Sequence, residues 1–85
     1  MWYVYILECR NNAYYTGATN DIARRVEEHK KGLCGKVTRG FGVKRLVYKE
    51  ECADKSAALK REAAIKNMTR AAKRDMVKDF LRSKR

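Results

Sequence analysis

From Trp2 to Leu7 the chain is an unbroken apolar and aromatic run, and after the polar break Arg10-Asn11-Asn12 the stretch from Ala13 to Ala18 repeats that character. Two such runs separated by turn-forming residues predict a β-hairpin. The length of its loop fixes which side chains share a face, because side chains alternate along a strand. A three-residue loop from Arg10 to Asn12, with Asn12 in the left-handed region, places Tyr5 and Tyr15 on one face. It also sets Tyr15 opposite Leu7 and Gly17 opposite Tyr5, where the missing side chain leaves room above the ring. A two-residue Asn11-Asn12 turn would send the two tyrosines to opposite faces.

Helical periodicity follows. Thr19 or Asn20 is the expected cap of a helix running to about Lys31, with Asp21 complementing the dipole in its first turn and Gly32 ending it. At this spacing Ile22, Val26, His29 and Arg25 share the inward side, while Arg24, Glu27, Glu28 and Lys31 point away. Residues 32–43 hold Gly32, Gly35, Gly40 and Gly42 with Lys36, Thr38 and Arg39, have no convincing period, and read as a mobile basic loop unlike the known phosphate-cradling patterns. Arg45 to Lys49 reads as a third strand. Asp54 caps a helix to about Asn67, on which Leu59, Ala63, Ala58 and Ile65 form an apolar stripe with Glu62 among them. Thr69 caps a last helix whose apolar side is Met76, Val77, Phe80 and Leu81.

Eighty-five residues predict a single domain, 1–85, large enough to stand without disulfides. No apolar run reaches a membrane-spanning length and no leader-like segment opens the chain, so a cytoplasmic protein with no membrane partner is expected. Three cysteines without a close pair, Cys9, Cys34 and Cys52, read as reduced thiols, with Cys9 and Cys52 acting as small hydrophobes near strand ends.

The net charge is +11, and it is uneven: residues 1–19, 20–52 and 53–85 contribute 0, +4 and +7. A field of that sign across a whole domain favours a polyanionic partner, nucleic acid above all. In that setting Glu62 stands out. A carboxylate within an apolar stripe is costly to desolvate unless a cation meets it, and that cation is either a basic side chain or a metal ion working on phosphates. Lys66, at the favourable i, i+4 position, and Arg61 supply the first explanation from the residues alone.

The ordered set of residues resembles the GIY-YIG nuclease family, particularly its small standalone bacterial members, over nearly the whole chain. Tyr3-Val4-Tyr5 stands at the first triplet and Tyr15-Thr16-Gly17 at the second, with nine residues between them. Asn20-Asp21-Ile22, Arg25 and His29 follow, and later Leu59, Glu62 and Lys66 on one helix. Departures are Tyr3 in place of the name-giving glycine, Thr16 where isoleucine is usual, and Met68 where an aromatic often stands. The resemblance implies an α+β fold, a three-stranded antiparallel sheet flanked by three helices, and hydrolysis of a phosphodiester with one divalent metal ion, Mg²⁺ or Mn²⁺. It implies Tyr5 as general base, Tyr15 orienting water or phosphate, His29 assisting proton movement, Arg25 clamping the scissile phosphate and Glu62 holding the metal. The products implied are a 3′-hydroxyl and a 5′-phosphate.

The chemistry fits these residue types. Mg²⁺ keeps several waters and is commonly held by one or two carboxylates plus phosphate oxygens. Guanidinium offers a fork matched to phosphate. A free tyrosine titrates near ~10, so Tyr5 as a base requires a lowered value or a relay. Lys36, Arg39, Lys44 and Lys66 are candidate backbone contacts to nucleic acid, with DNA expected rather than RNA and a protein partner left open. Nothing in the sequence supports base-specific reading. The rival reading is a module that keeps the fold and the basic surface and binds nucleic acid without cutting it, alone or within a larger assembly.

Overall fold

The computed structural model describes residues 1–33, 40 and 42–83. In chain order it contains β1 (Trp2–Cys9), β2 (Tyr14–Thr19), α1 (Ile22–Lys30), β3 (Val43–Cys52), α2 (Lys55–Lys66) and α3 (Arg70–Ser83). The three strands form one antiparallel sheet in the order β2-β1-β3. The fold is thus α+β, a three-stranded antiparallel sheet with three helices among the described residues. No described helix is long and apolar enough to cross a membrane.

The hairpin forms with a three-residue loop. The Cys9 N–H donates to the Ala13 carbonyl at 2.8 Å, the Asn12 N–H donates to the Cys9 carbonyl at 2.9 Å, and Asn12 takes φ 68°. Asparagine tolerates this left-handed conformation because its short polar side chain can bond locally. The resulting register pairs Tyr5 with Gly17 and Leu7 with Tyr15. β1 is the central strand and helices pack on both of its faces, so Val4, Tyr5, Ile6 and Leu7 are all fully buried. That double coverage is the reason its sequence is continuously apolar rather than alternating.

The two faces carry different clusters. Val4 and Ile6 pack with Val47, Ala58, Ile65 and Val77, so α2 and α3 cover this side. Tyr5 and Leu7 pack with Val43, Tyr15, Ile22, Val26 and Leu46, so α1 covers the other. β3 is longer than its apolar centre predicts, and its pairing with β1 shifts register between Ile6 and Leu7 and again between Glu8 and Cys9. The second shift leaves Lys44 exposed without a partner across the ladder. On the α2/α3 side, Glu50 accepts hydrogen bonds from the Tyr48 hydroxyl and from Arg61 Nε (3.1 Å), and the Tyr48 ring packs on Phe80 at 5.5 Å. These contacts tie β3 to both helices.

One helix start and one helix face differ from expectation. α2 begins as expected, with Asp54 accepting from the Ala57 N–H at 2.8 Å, and Thr69 Oγ1 accepts from the Ala72 N–H at 3.1 Å. α1 is capped instead by Asp21, which accepts from the Arg24 N–H at 3.1 Å. Thr19 is unavailable as a cap because it remains paired with Tyr3, and its hydroxyl accepts from the Asp21 N–H. α1 ends in a Schellman arrangement, with the Gly32 N–H donating to the His29 carbonyl, the Leu33 N–H to the Glu28 carbonyl, and Gly32 at φ 76°. On α2 the expected apolar stripe is rotated. Ala58 and Ile65 are buried, but Leu59 is 45% exposed and Ala63 faces solvent. Arg61 is drawn towards β3 by Glu50, which turns Leu59 and Ala63 outward and leaves Glu62 on the inward side between Ala58 and Ile65.

Candidate functional site

The α1 face of the sheet gathers the tyrosines and the histidine. Because the hairpin loop has an odd count, Tyr5 and Tyr15 stand on one face with ring centroids 6.4 Å apart. α1 crosses above them and delivers His29, whose Nε2 lies 3.0 Å from the Tyr5 hydroxyl and whose ring centre is 4.7 Å from that of Tyr15. Tyr5 and His29 are each 1% exposed. Gly17 makes this possible: a β-carbon there would stand 2.5 Å from Tyr5 Oη and 2.7 Å from Cζ. The glycine is a packing requirement of the Tyr5 ring.

The Tyr5–His29 bond has two proton arrangements. Either the tyrosine donates to an unprotonated Nε2 with the imidazole proton on Nδ1, or Nε2–H donates to the phenol oxygen. Tyr15 is half-buried, and its hydroxyl has no hydrogen-bond partner among the described residues. It is therefore open to a ligand. Tyr5 and His29 are buried, so of these side chains Tyr15 and Arg25 are the ones accessible from the surface.

Arg25 sits one turn before His29 on the same helix face and is 43% exposed through its side chain. Its Nη1 meets Glu28 Oε1 at 3.3 Å. Glu28 was expected to point outward with Glu27; it turns back to Arg25 instead and is half-buried. An exposed pair of this kind is worth about 0–1 kcal/mol, so a phosphate can displace it.

Glu62 belongs to the other layer. α2 packs mainly along β1 and the edge strand β2. Of the two cations the sequence offered, Arg61 is engaged by Glu50, leaving Lys66 Nζ at 3.5 Å from Glu62 Oε2. The carboxylate is 20% exposed and the lysine 54%. No hydrogen bond or ion pair links Glu62 to Tyr5, Tyr15 or His29. Among the described residues no three His, Cys, Asp or Glu side chains form a metal-binding group. A closed protein cage for a metal is thus absent there. One partly buried carboxylate held only by a loose, half-exposed lysine fits a hydrated Mg²⁺ or Mn²⁺ whose remaining ligands are water and substrate oxygens.

The basic candidates divide. Lys44 and Lys66 are exposed. Lys36, Arg39 and Cys34 lie outside the described residues. Cys9 and Cys52 are free and buried, and burial raises both thiols above their ordinary range, with nearby carboxylates (Glu8 for Cys9, Glu50 for Cys52) acting in the same direction. They are inert hydrophobes in the sense expected from their positions at strand ends. The Glu50–Arg61–Tyr48 group escaped the sequence, because its members are far apart in the chain. The only local signal was the alternation that puts Tyr48 and Glu50 on one strand face.

Comparison with known proteins gives a consistent result. The family model described as the GIY-YIG catalytic domain matches residues 1–75. A UPF0213 protein of Desulfotalea psychrophila is 46% identical over 78 residues, covering 91% of this chain and 71% of its own length. A UPF0213 protein of Vibrio cholerae is 44% identical over 82 residues, covering 95% and 81%. The solution NMR structure of a UPF0213 protein from Bacillus halodurans is similar with a TM-score of 0.58 and 40% identity, over 92% of this chain and 84% of that one. The ordered tyrosines, the α1 arginine and histidine, the three-stranded sheet and these matches together place the chain in the GIY-YIG domain family, whose members are generally nucleases, among its UPF0213 proteins.

Proposed function

We propose that the protein is a metal-dependent endonuclease that hydrolyses phosphodiester bonds of DNA. The observation that carries this reading is the buried Tyr5–His29 hydrogen bond at 3.0 Å, with Tyr15 packed on the same imidazole and Arg25 one helical turn away. A tyrosine acting as a base needs either a lowered pKa or a relay, and His29 supports the relay. Arg25 leaves Glu28 to hold the scissile phosphate and stays charged as negative charge builds in the transition state. Tyr15 orients the attacking water from the accessible side of the cluster. The proton is received behind it by the Tyr5–His29 pair. Glu62 would hold the divalent ion, which supplies Lewis acidity at the phosphate when bound. Products with a 3′-hydroxyl and a 5′-phosphate follow if water attacks phosphorus and the 3′-oxygen leaves.

One observation favours a second reading. Tyr5 and His29 are buried, and among the described residues no hydrogen bond or ion pair joins Glu62 to them, as suits a module that binds nucleic acid without cutting it. The deciding experiment is cleavage of labelled duplex, branched and single-stranded DNA with Mg²⁺ or Mn²⁺ by the parent, Glu62→Ala, Tyr5→Phe and Arg25→Lys. The enzyme reading expects cleavage by the parent and a loss of at least ~10²-fold in each variant. Equal cleavage by all four sinks it. Salt-sensitive binding with no cleavage of any substrate establishes the module instead.

A further inference from the structure

We propose a second phosphate-binding site, on the opposite side of the β2 edge from the Tyr15 cluster, formed by Arg70 and Lys73 around Tyr14. It rests on the reading of the protein as one that acts on DNA, and it assigns that DNA a path. A cavity of about 210 Å³ is lined by Ala13, Tyr14, Arg70 and Lys73, with no carboxylate on its wall. Arg70 is held in place there. Its Nη2 donates to the Asn12 carbonyl at 2.9 Å, and its guanidinium lies 6.0 Å from the centre of the Tyr14 ring. The hydrogen bond and the ring fix the plane of the fork and leave its other N–H groups for a ligand.

Ion pairing does not account for these cations. Arg70 and Lys73 form no ion pair among the described residues, although Asp75 and Asp79 lie on the same helix. The first turn of α3 contains no acid, and Arg70 and Lys73 stand in it, where the helix dipole disfavours positive charge. An oriented guanidinium and a second cation beside an aromatic ring in an acid-free cavity match an anion with several acceptor oxygens, which in a DNA-acting protein is a backbone phosphate.

The position relates the two sites. Tyr14 and Tyr15 are successive residues of β2 and therefore face opposite sides of the sheet. β2 is an edge strand, so a polynucleotide can cross it. The two sites therefore flank one edge strand, on its two faces. The same DNA strand reaches both sites, and Arg70 and Lys73 fix its register without reading bases.

The test is fluorescence anisotropy of a short labelled DNA duplex between about 50 and 200 mM salt. It compares the parent, Arg70→Gln/Lys73→Gln, Lys73→Gln alone, and Lys60→Gln/Lys78→Gln as a control of equal charge at exposed positions. The site-directed double variant is expected to bind about tenfold more weakly and to lower the slope of log affinity against log salt by about 2, with Lys73→Gln lowering it by about 1. The Lys73 side chain makes no hydrogen bond among the described residues, and its backbone bond to Thr69 survives substitution, so its single variant reports on binding even if loss of the Arg70 bond loosens the hairpin. The control is expected to shift by less than half as much. A parent that binds, with the double variant indistinguishable from the control, overturns this site and leaves the proposed function standing. A parent that does not bind DNA at low salt overturns both.

Discussion

Gly17→Ala isolates the contact on which the tyrosine cluster is built. Residue 17 pairs with Tyr5 across the ladder and has no positive φ, so alanine meets no backbone objection. If conformational entropy alone mattered, the substitution would stabilise by about 0.4–1 kcal/mol through the unfolded chain. Packing opposes it. The new β-carbon would lie 2.5 Å from Tyr5 Oη, 2.7 Å from Cζ and 3.1 Å from Cε1, where ordinary contact begins at 3.4 Å. The ring must retreat by about 1 Å, which overpacks the α1 face at about 1–3 kcal/mol. It also stretches the bond to His29 beyond use, losing about 0.5–1.5 kcal/mol. Set against the entropic gain, these leave a net destabilisation of about 2 kcal/mol, or roughly 8–16 °C in Tm for a chain of this size. Urea unfolding of the parent, Gly17→Ala, Tyr5→Phe and the double variant measures it. Because Tyr5→Phe already lacks Oη and its bond, the double variant should be about 1 kcal/mol more stable than the sum of the single effects. A neutral Gly17→Ala, or strict additivity with Tyr5→Phe, would refute the claim that glycine is there to seat the tyrosine.

Two further outcomes are expected. Thr16 is buried opposite Ile6, and its hydroxyl has no hydrogen-bond partner among the described residues; Thr16→Val should therefore raise stability by about 1 kcal/mol, seen as a higher urea midpoint at unchanged m, and a lower midpoint would show that the hydroxyl is satisfied. Burial, and then the hydrogen bond to Glu50, hold the Tyr48 phenol above its usual value of 10.0 despite Arg61 nearby. A group whose folded pKa is raised contributes stability that is fully present below the unfolded value and is lost as pH rises through the folded one. Parent stability should accordingly fall more steeply than that of Tyr48→Phe above pH ~10, and parallel pH profiles would contradict it.

The sequence determined those features that rest on short-range rules. The odd hairpin loop, with Asn12 in the left-handed region, follows from the turn residues and strand alternation, and it alone puts Tyr5 and Tyr15 on one face. Asp54 and Thr69 as caps and the inward side of α1 follow from side chains bonding to nearby backbone and from the 3.6-residue period. Where two short-range options competed, pairing decided: Thr19 stays in the ladder with Tyr3, and the cap passes to Asp21. The tertiary structure alone decided what depends on residues distant in the chain. Periodicity gives a helix face only to within the width of its stripe, so the rotation of α2 that exposes Leu59 required Glu50, eleven residues before Arg61, to choose that arginine. His29 could be placed inward by its angle, but its bond to Tyr5 depends on how α1 crosses the sheet. Glu62 kept its inward position and lost one of its two candidate cations for the same reason: ion-pair choice is a contest among all charges within reach, and only the packed fold sets those distances.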